Sequence, residues 1–383
     1  MHPRSSSTSS SDGQARAAWG PRLRVFAWAL LWLAALDVGA NLAFAYPADV
    51  KNVNPGRLQL FFDYGRSMEG RLRRMTKADP TQTAPITLAG WYEPLKSLDR
   101  PAKPDGVLVN VYGMSHASRL ADALQRRSAI YSARSVAAPG ATTNWAFGAY
   151  RRDQHRGRAQ VAVLAIMSST LANITSMTPM TWNVSFPLAY TQDRYVLKGG
   201  GLGVVKPPYE TFEGYVATLN DPAKWQAARG LFRRFDPFYD PFLLEATPLD
   251  RSTLVRMARR AWSNRRDRDA GGNVLTARSF NAESEAVRLA NRIIAAFASQ
   301  ARREGQIPVI YIVNNYGYGD QLRRALQDTL DREAIPFLST DQVVNPSDPA
   351  NYLADTHFTD ANDDRLAEAL DQVISAQRAS MAR

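Results

Sequence analysis

The 383-residue chain predicts an α/β fold: a mostly parallel sheet with helices over both faces, a three-layer α/β/α sandwich. Three observations carry this. Short apolar, β-branched runs recur, as in "VLVNV" from Val107, "VAVLAIM" from Val161 and "IPVIYIV" from Ile307, each of strand length and apolar on both faces. Stretches of helix formers with apolar residues at i and i+4 lie between them, as in "SRLADALQRR" from Ser118. Strands and helices alternate, and parallel strands need such crossovers.

The first element stands apart from that sheet. Residues 1–22 are Ser-rich, with Arg4, Arg16 and Arg22 against the single acid Asp12, and read as a cytoplasmic tail. The apolar run Val25–Ala45 is broken only by Asp37 and Asn41. It matches the ~20 residues that a helix needs to cross a bilayer. The spacing predicts a single-pass signal anchor over 23–45. The positive flank keeps the N-terminus inside and puts the rest of the chain on the extracytoplasmic, periplasmic side of the inner (cytoplasmic) membrane. Ala43-Phe44-Ala45 also suits a signal-peptide cleavage site, and either reading exports residues 46–383.

Residues 46–104 read as a neck, helix-rich over 54–76 and Pro-punctuated and loop-like over 77–104. The α/β domain occupies 105–383. Its first unit is a strand at 107–111, a turn at Gly113-Met114-Ser115 and a helix with Leu120 and Leu124 inward. Its second unit is the strand of "YSARSVAAPGATTNW", followed by Pro139-Gly140 and a Thr pair; a third strand lies in 159–170. From about 176 to 281 the rhythm breaks, and this stretch reads as an insertion or cap, with "GGGLG" at 199–203 as a flexible loop. Regularity returns with a helix carrying Val287, Ile294 and Phe297 on one face and ended by Gly305. A strand, a helix, the short strand "IPFLS" and a closing helix follow.

Composition excludes several chemistries. No cysteine is present, so disulfides, thiolate metal sites and a cysteine nucleophile are ruled out. The four histidines, His2, His116, His155 and His357, are too few and too scattered for a histidine-rich metal centre. Neither GxxxxGK[ST] nor GxGxxG occurs, and no cofactor is expected. The net charge of +11 comes mainly from arginine. Its first reading is a plain composition bias towards arginine; as a functional signal it favours anionic partners such as polysaccharide or phospholipid headgroups, and no aromatic-basic motif points to nucleic acid.

In a parallel sheet, functional groups gather on the loops beyond the C-terminal strand ends. Ser115 follows the first strand, Gly140 the second, Ser168 and Ser169 the third, and Asp355 with His357 the last. A serine hydroxyl becomes nucleophilic when a neighbouring imidazole takes its proton. A carboxylate fixes the imidazole's tautomer, and residues i and i+2 of an extended segment project to the same side, which fits Asp355 and His357. Ser115 at a helix start, and Gly140 without a Cβ, can bring N–H donors to an oxyanion. His116 adjoins Ser115, but neighbours along a helix do not face each other, which argues against it as the base.

The order "VYGMS", "SVAAPGATT", a third apolar strand and a terminal "DTHF" before a helix resembles the SGNH/GDSL hydrolase superfamily. The resemblance covers about 105–175 and 282–376. It implies an SGNH/flavodoxin-like sheet, Ser115 as nucleophile, Gly140 as oxyanion glycine and Asp355 and His357 as the last block. Members of that superfamily deacylate or transacylate esters, often acetyl groups on sugars, so an acylated carbohydrate or other ester is the implied substrate. Three departures stand out. Gly-Met-Ser replaces Gly-Asp-Ser, and Ser168 and Ser169 stand where an asparagine donor is usual, with Asn173 four residues beyond Ser169. The acid precedes the histidine by two positions instead of three, as in exported proteins of polysaccharide O-acetylation. The rival expectation is a degenerate scaffold serving as a polysaccharide-binding or assembly module.

Overall fold

The structure is a computed structural model that describes residues 12–46, 55–76, 89–92, 103, 105–184, 187–269, 273–276 and 279–381. Most of the stretch expected to be loop-like at 77–104, and the first half of the N-terminal tail, lie outside the described residues.

Helix α1 (Asp12–Ala43) begins well upstream of the expected residue 23. Its Arg22–Ala43 segment, 22 residues with mean hydropathy 1.7, is long and apolar enough to cross a membrane, and none of that apolar stretch is buried by the rest of the chain. Two short helices of the neck follow, α2 (Arg57–Tyr64) and α3 (Met68–Met75). The Ser67 hydroxyl caps α3 by accepting from the Gly70 N–H at 3.1 Å.

Next come β1 (Val107–Gly113), α4 (Ser115–Arg127), β2 (Tyr131–Ala137), α5 (Thr143–Arg152) and β3 (Val161–Met167). The chain then leaves the sheet for a hairpin, β4 (Arg194–Lys198) and β5 (Gly201–Val205), and for the helices α6 (Phe212–Asn220), α7 (Pro222–Phe235), α8 (Pro241–Leu244) and α9 (Thr253–Asp269). The glycine run expected to be a flexible loop is instead the tight turn of this hairpin. Gly199 and Gly200 take φ +54° and +80°, the left-handed pair that matches strand twist, and Gly201 already pairs with Lys198.

The chain returns through α10 (Glu285–Arg303), β6 (Ile307–Val313), α11 (Gln321–Arg332), β7 (Phe337–Ser339) and α12 (Asp360–Met381). The main sheet has five strands in the order β2-β1-β3-β6-β7, every described pair parallel. From β1 the chain moves outward to β2 and then crosses back to β3, so the order reverses beside β1. That reversal opens a crevice at the C-terminal strand ends.

All residues of β1, β3 and β6 are buried, which explains their unbroken apolar runs. Helix α4 packs on β1, β2 and α12, while α5 and α10 pack on each other and on β3. A Cβ at Gly113 would lie 2.5 Å from the Ala165 Cβ and 3.0 Å from the Ala117 Cβ, so the strand–helix joint closes only with glycine there. Deep in the sheet, Asp153 accepts from Arg134 and, at 2.6 Å, from the Tyr112 hydroxyl, a paired and hydrogen-bonded buried charge.

Candidate active site

Strand β1 delivers Ser115 as the first residue of α4. Its helix neighbour Met114 is extended (φ −104°, ψ −173°) and its side chain caps nothing, so the positive end of α4 stays open. Among the described residues, neither the Ser115 nor the Gly140 backbone N–H has a protein acceptor outside regular secondary structure. Gly140 sits at φ +61°, a conformation that disfavours a side chain, in a turn closed by the Ala141 N–H on the Ala138 carbonyl at 3.2 Å.

From the other end of the chain comes His357, whose Nε2 is 2.6 Å from the Ser115 Oγ across 242 positions. Its Nδ1 is 2.9 Å from Asp355 Oδ2, and its backbone N–H donates to Asp355 Oδ1 at 3.2 Å. These two bonds, the side-chain one foremost, hold the Asp355 carboxyl below the usual carboxylate range. A hydroxyl, an imidazole and a carboxylate thus form one hydrogen-bonded row. An imidazole bonded in this way can take the serine proton while the carboxylate fixes its tautomer.

The reason for the Asp-x-His spacing differs from the extended geometry expected. Thr356 lies at φ +70°, a left-handed conformation that is uncommon for a β-branched residue. The Thr356 N–H donates to the Leu353 carbonyl at 2.9 Å and the Leu353 N–H to the His357 carbonyl at 2.7 Å, with Tyr352 and Phe358 bridged across the turn. It is this tight turn, not strand alternation, that brings the carboxylate back onto the imidazole.

Arg119, one helical turn past Ser115, ties the histidine turn to α4. Its guanidinium donates to Asp363 Oδ2 at 2.6 Å, Asp360 Oδ1 at 2.7 Å and the Phe358 carbonyl at 3.0 Å. His116 is buried, its ring centroid 4.8 Å from that of His357 and 5.4 Å from that of Phe358. Neither of its nitrogens makes a hydrogen bond of good geometry. Burial first, and the neighbouring His357 second, push its pKa down to about 4, so it is neutral near pH 7. It packs beneath His357 and has no bond to the serine.

The serine row opens into a cleft of about 520 Å³. Ala137, Ala138, Pro139 and Leu188 make one side of it apolar, while Ser118, Gly140 and Asn183 add polar groups. Ser168, Ser169 and Asn173, expected on the same rim, are not among the described residues that line this cleft. The Ser168 hydroxyl donates to buried Asn314 Oδ1 at 2.8 Å, the Ser169 N–H donates to Asn315 Oδ1 at 3.3 Å, and the Asn173 carbonyl accepts from Ser176. Asn183 is among the residues that line the cleft. It comes from a stretch with no sequence period, and Arg119 is one arginine among many, so neither carried a signal in the sequence.

Among the described residues no cluster of acids and histidines could hold a metal ion. No protein-family model, curated protein or solved structure matches the chain.

Proposed function

We propose that the protein is a serine esterase or O-acyltransferase anchored in the inner (cytoplasmic) membrane, with residues 46–383 on the periplasmic side. The observation that carries the reading is the row Ser115–His357–Asp355 at 2.6 and 2.9 Å, assembled from opposite ends of the domain at the mouth of a cleft. Ser115 attacks the ester carbonyl as His357 takes its proton. The tetrahedral oxyanion faces the N–H groups of Ser115 and Gly140. Each such donor contributes about 3 kcal/mol to the transition state. His357 returns the proton to the leaving alkoxide. Water, or a hydroxyl of an acceptor sugar, then takes the acyl group from Ser115.

The substrate in this reading is an acyl ester, an acetyl ester foremost, on a carbohydrate or cell-envelope polymer. The apolar side of the cleft suits a short acyl chain, and the net charge of +11 suits an anionic polymer. The resemblance to SGNH/GDSL hydrolases agrees with a three-layer sandwich in which α4 with α12, and α5 with α10, form the outer layers. The stretch 176–281 is then an insertion that lends Asn183 to the cleft.

The turning of Ser168 away from the cleft favours a second reading, a degenerate scaffold that binds or assembles polysaccharide. A fluorophosphonate probe on the full-length chain separates the two. Covalent labelling that maps to Ser115 and is prevented by His357→Gln supports the enzyme. An unlabelled, folded chain supports the binding module.

A further inference from the structure

Helix α9 is inverted. A surface helix ordinarily turns its apolar stripe inward. Here Thr253, Arg256, Arg259 and Ser263 are buried, while Leu254, Met257 and Trp262 are 40%, 47% and 42% exposed, with exposed Ala258 and Ala261 between them. Positions 254, 257, 258 and 261 fall on one side of a 3.6-residue period. The arginines stay inside because they are satisfied. Arg259 pairs with Asp250 and donates to the Phe242 carbonyl at 2.6 Å, and Arg256 donates to the Asp250 carbonyl at 2.7 Å. Neighbouring elements add further exposed apolar side chains: Leu249 in the turn before α9, and Leu58 and Phe61 on α2. The Arg260 guanidinium lies 4.3 Å from the Phe61 ring centroid.

The attachment of α9 to α1 says what covers this stripe. Asp37 Oδ1 accepts from the Thr253 hydroxyl at 2.5 Å and from the Leu254 N–H at 2.9 Å, so the first turn of α9 sits on α1 at that level. Helix α1 continues to Ala43, about 9 Å further at 1.5 Å per residue. On that last stretch Val38 and Leu42 are 58% and 78% exposed. The apolar surface of α1 therefore runs past the level at which α9 is joined to it. If that surface lies in lipid, the first turn of α9 lies at the headgroup–acyl boundary, where amphipathic helices sink by about 5–10 Å.

We infer that the outward stripe of α9, with α2 beside it, is a lipid-binding surface that lies in the periplasmic interface of the bilayer crossed by α1. Trp262 fits that boundary: its indole N–H donates to Asp240 Oδ2 at 2.7 Å, and the ring is left free to meet acyl chains. Two attachments, a spanning helix and a surface helix, fix the tilt of the domain and hence the height of the Ser115 cleft above the membrane. The inference rests on the reading of α1 as a membrane span.

The absence of cysteine makes the test direct, since each introduced thiol is the only one. The full-length chain carries a fluorophore on Met257→Cys, Leu30→Cys or Ile130→Cys, all exposed positions, in nanodiscs containing phospholipid spin-labelled near the headgroup or, for Leu30, along the acyl chain. Quenching at Met257 should exceed that at Ile130 about threefold or more, as expected for an interfacial side chain. If Leu30 is quenched and Met257 matches Ile130, the lipid surface is refuted while the span stands. If Leu30 is not quenched either, the span itself fails and the inference falls with it. Excimer emission from pyrene on Met257→Cys, without lipid quenching there, assigns the stripe to a second copy of the chain and also overturns the proposal.

Discussion

A serine follows the C-terminal end of β1 and another that of β3, and the two behave differently. Beyond β1, Ser115 faces a cleft and meets the imidazole of His357. Beyond β3, Ser168 faces inward and donates to Asn314, whose amide in turn donates to Ser339 Oγ at 3.2 Å and Asp341 Oδ1 at 2.9 Å. The second end is a closed network: each polar group is consumed by another, and it stitches β3 to β6 and β7. The first is left open onto the cleft, and among the described residues the Ser115 and Gly140 N–H groups have no acceptor outside regular secondary structure. The two serines differ in the partner that the fold brings to each: an imidazole for Ser115 and an amide for Ser168.

The comparison is broken most severely at the open end. Ser115→Ala should lower acyl-ester cleavage by about 10⁵-fold or more, as for the loss of a nucleophile that acts as one unit with its base. Its unfolding free energy should stay within about 0.5 kcal/mol of the parent. Undiminished turnover of a chromogenic acetyl ester would remove Ser115 from the mechanism.

Asp355→Asn comes next. A buried triad acid costs about 10⁴-fold when amidated. Asp355 is 67% exposed, and water competes for its charge, so a loss of about 10²- to 10³-fold in kcat is expected. A loss as large as that of Ser115→Ala would mean that the turn collapses with the substitution.

His116 sharpens the contrast through pH. The groups around it are His357, the Thr356 backbone, Arg119 and Asp355, and burial foremost depresses its folded pKa to about 4. A histidine depressed on folding contributes stability that is complete above its unfolded pKa of ~6.5 and is lost as pH falls towards 4. The shift corresponds to about 3 kcal/mol. Urea denaturation at pH 7 and pH 4.5 should show most of that loss in the parent chain and a clearly flatter profile in His116→Phe. Equal pH profiles for the two chains would contradict the burial of a neutral imidazole at this position.

The smallest effect belongs to the closed end. Ser168→Ala leaves the Asn314 side-chain Oδ1 short of a donor and should cost about 1–2 kcal/mol of stability. Turnover at saturating ester should stay within about twofold of the parent, because Ser168 does not line the cleft. A large fall in kcat with normal stability would return Ser168 to the oxyanion.

Legibility in the sequence followed burial and reach along the chain. Strands β1, β3 and β6 were plain because both faces are covered, which leaves an uninterrupted apolar string. Helix α5 went unread for the same reason, since all of Thr143–Tyr150 is buried and a helix without a solvent side has no period to detect. Ser115, Asp355 and His357 could be picked out because a serine at a strand–helix joint and a rare histidine beside an acid are local features. The left-handed Thr356 that joins acid to base was not visible, nor was Asn314, whose claim on Ser168 arises across 146 positions. Arg119 binds residues some 240 positions away, a pairing that no short motif encodes.

The bond from Asp37 to the start of α9 bears on how this protein can be handled. Deleting α1 to obtain a soluble form would also strip the carboxylate that satisfies the Leu254 N–H, a loss of about 0.5–2 kcal/mol, as for a missing helix cap. It would leave the oily side of α9 facing water as well. Poor behaviour of such a shortened chain would report on its severed anchorage before it reported on the chemistry of Ser115. Detergent or nanodisc preparations of the intact chain are the sound starting material for enzymology.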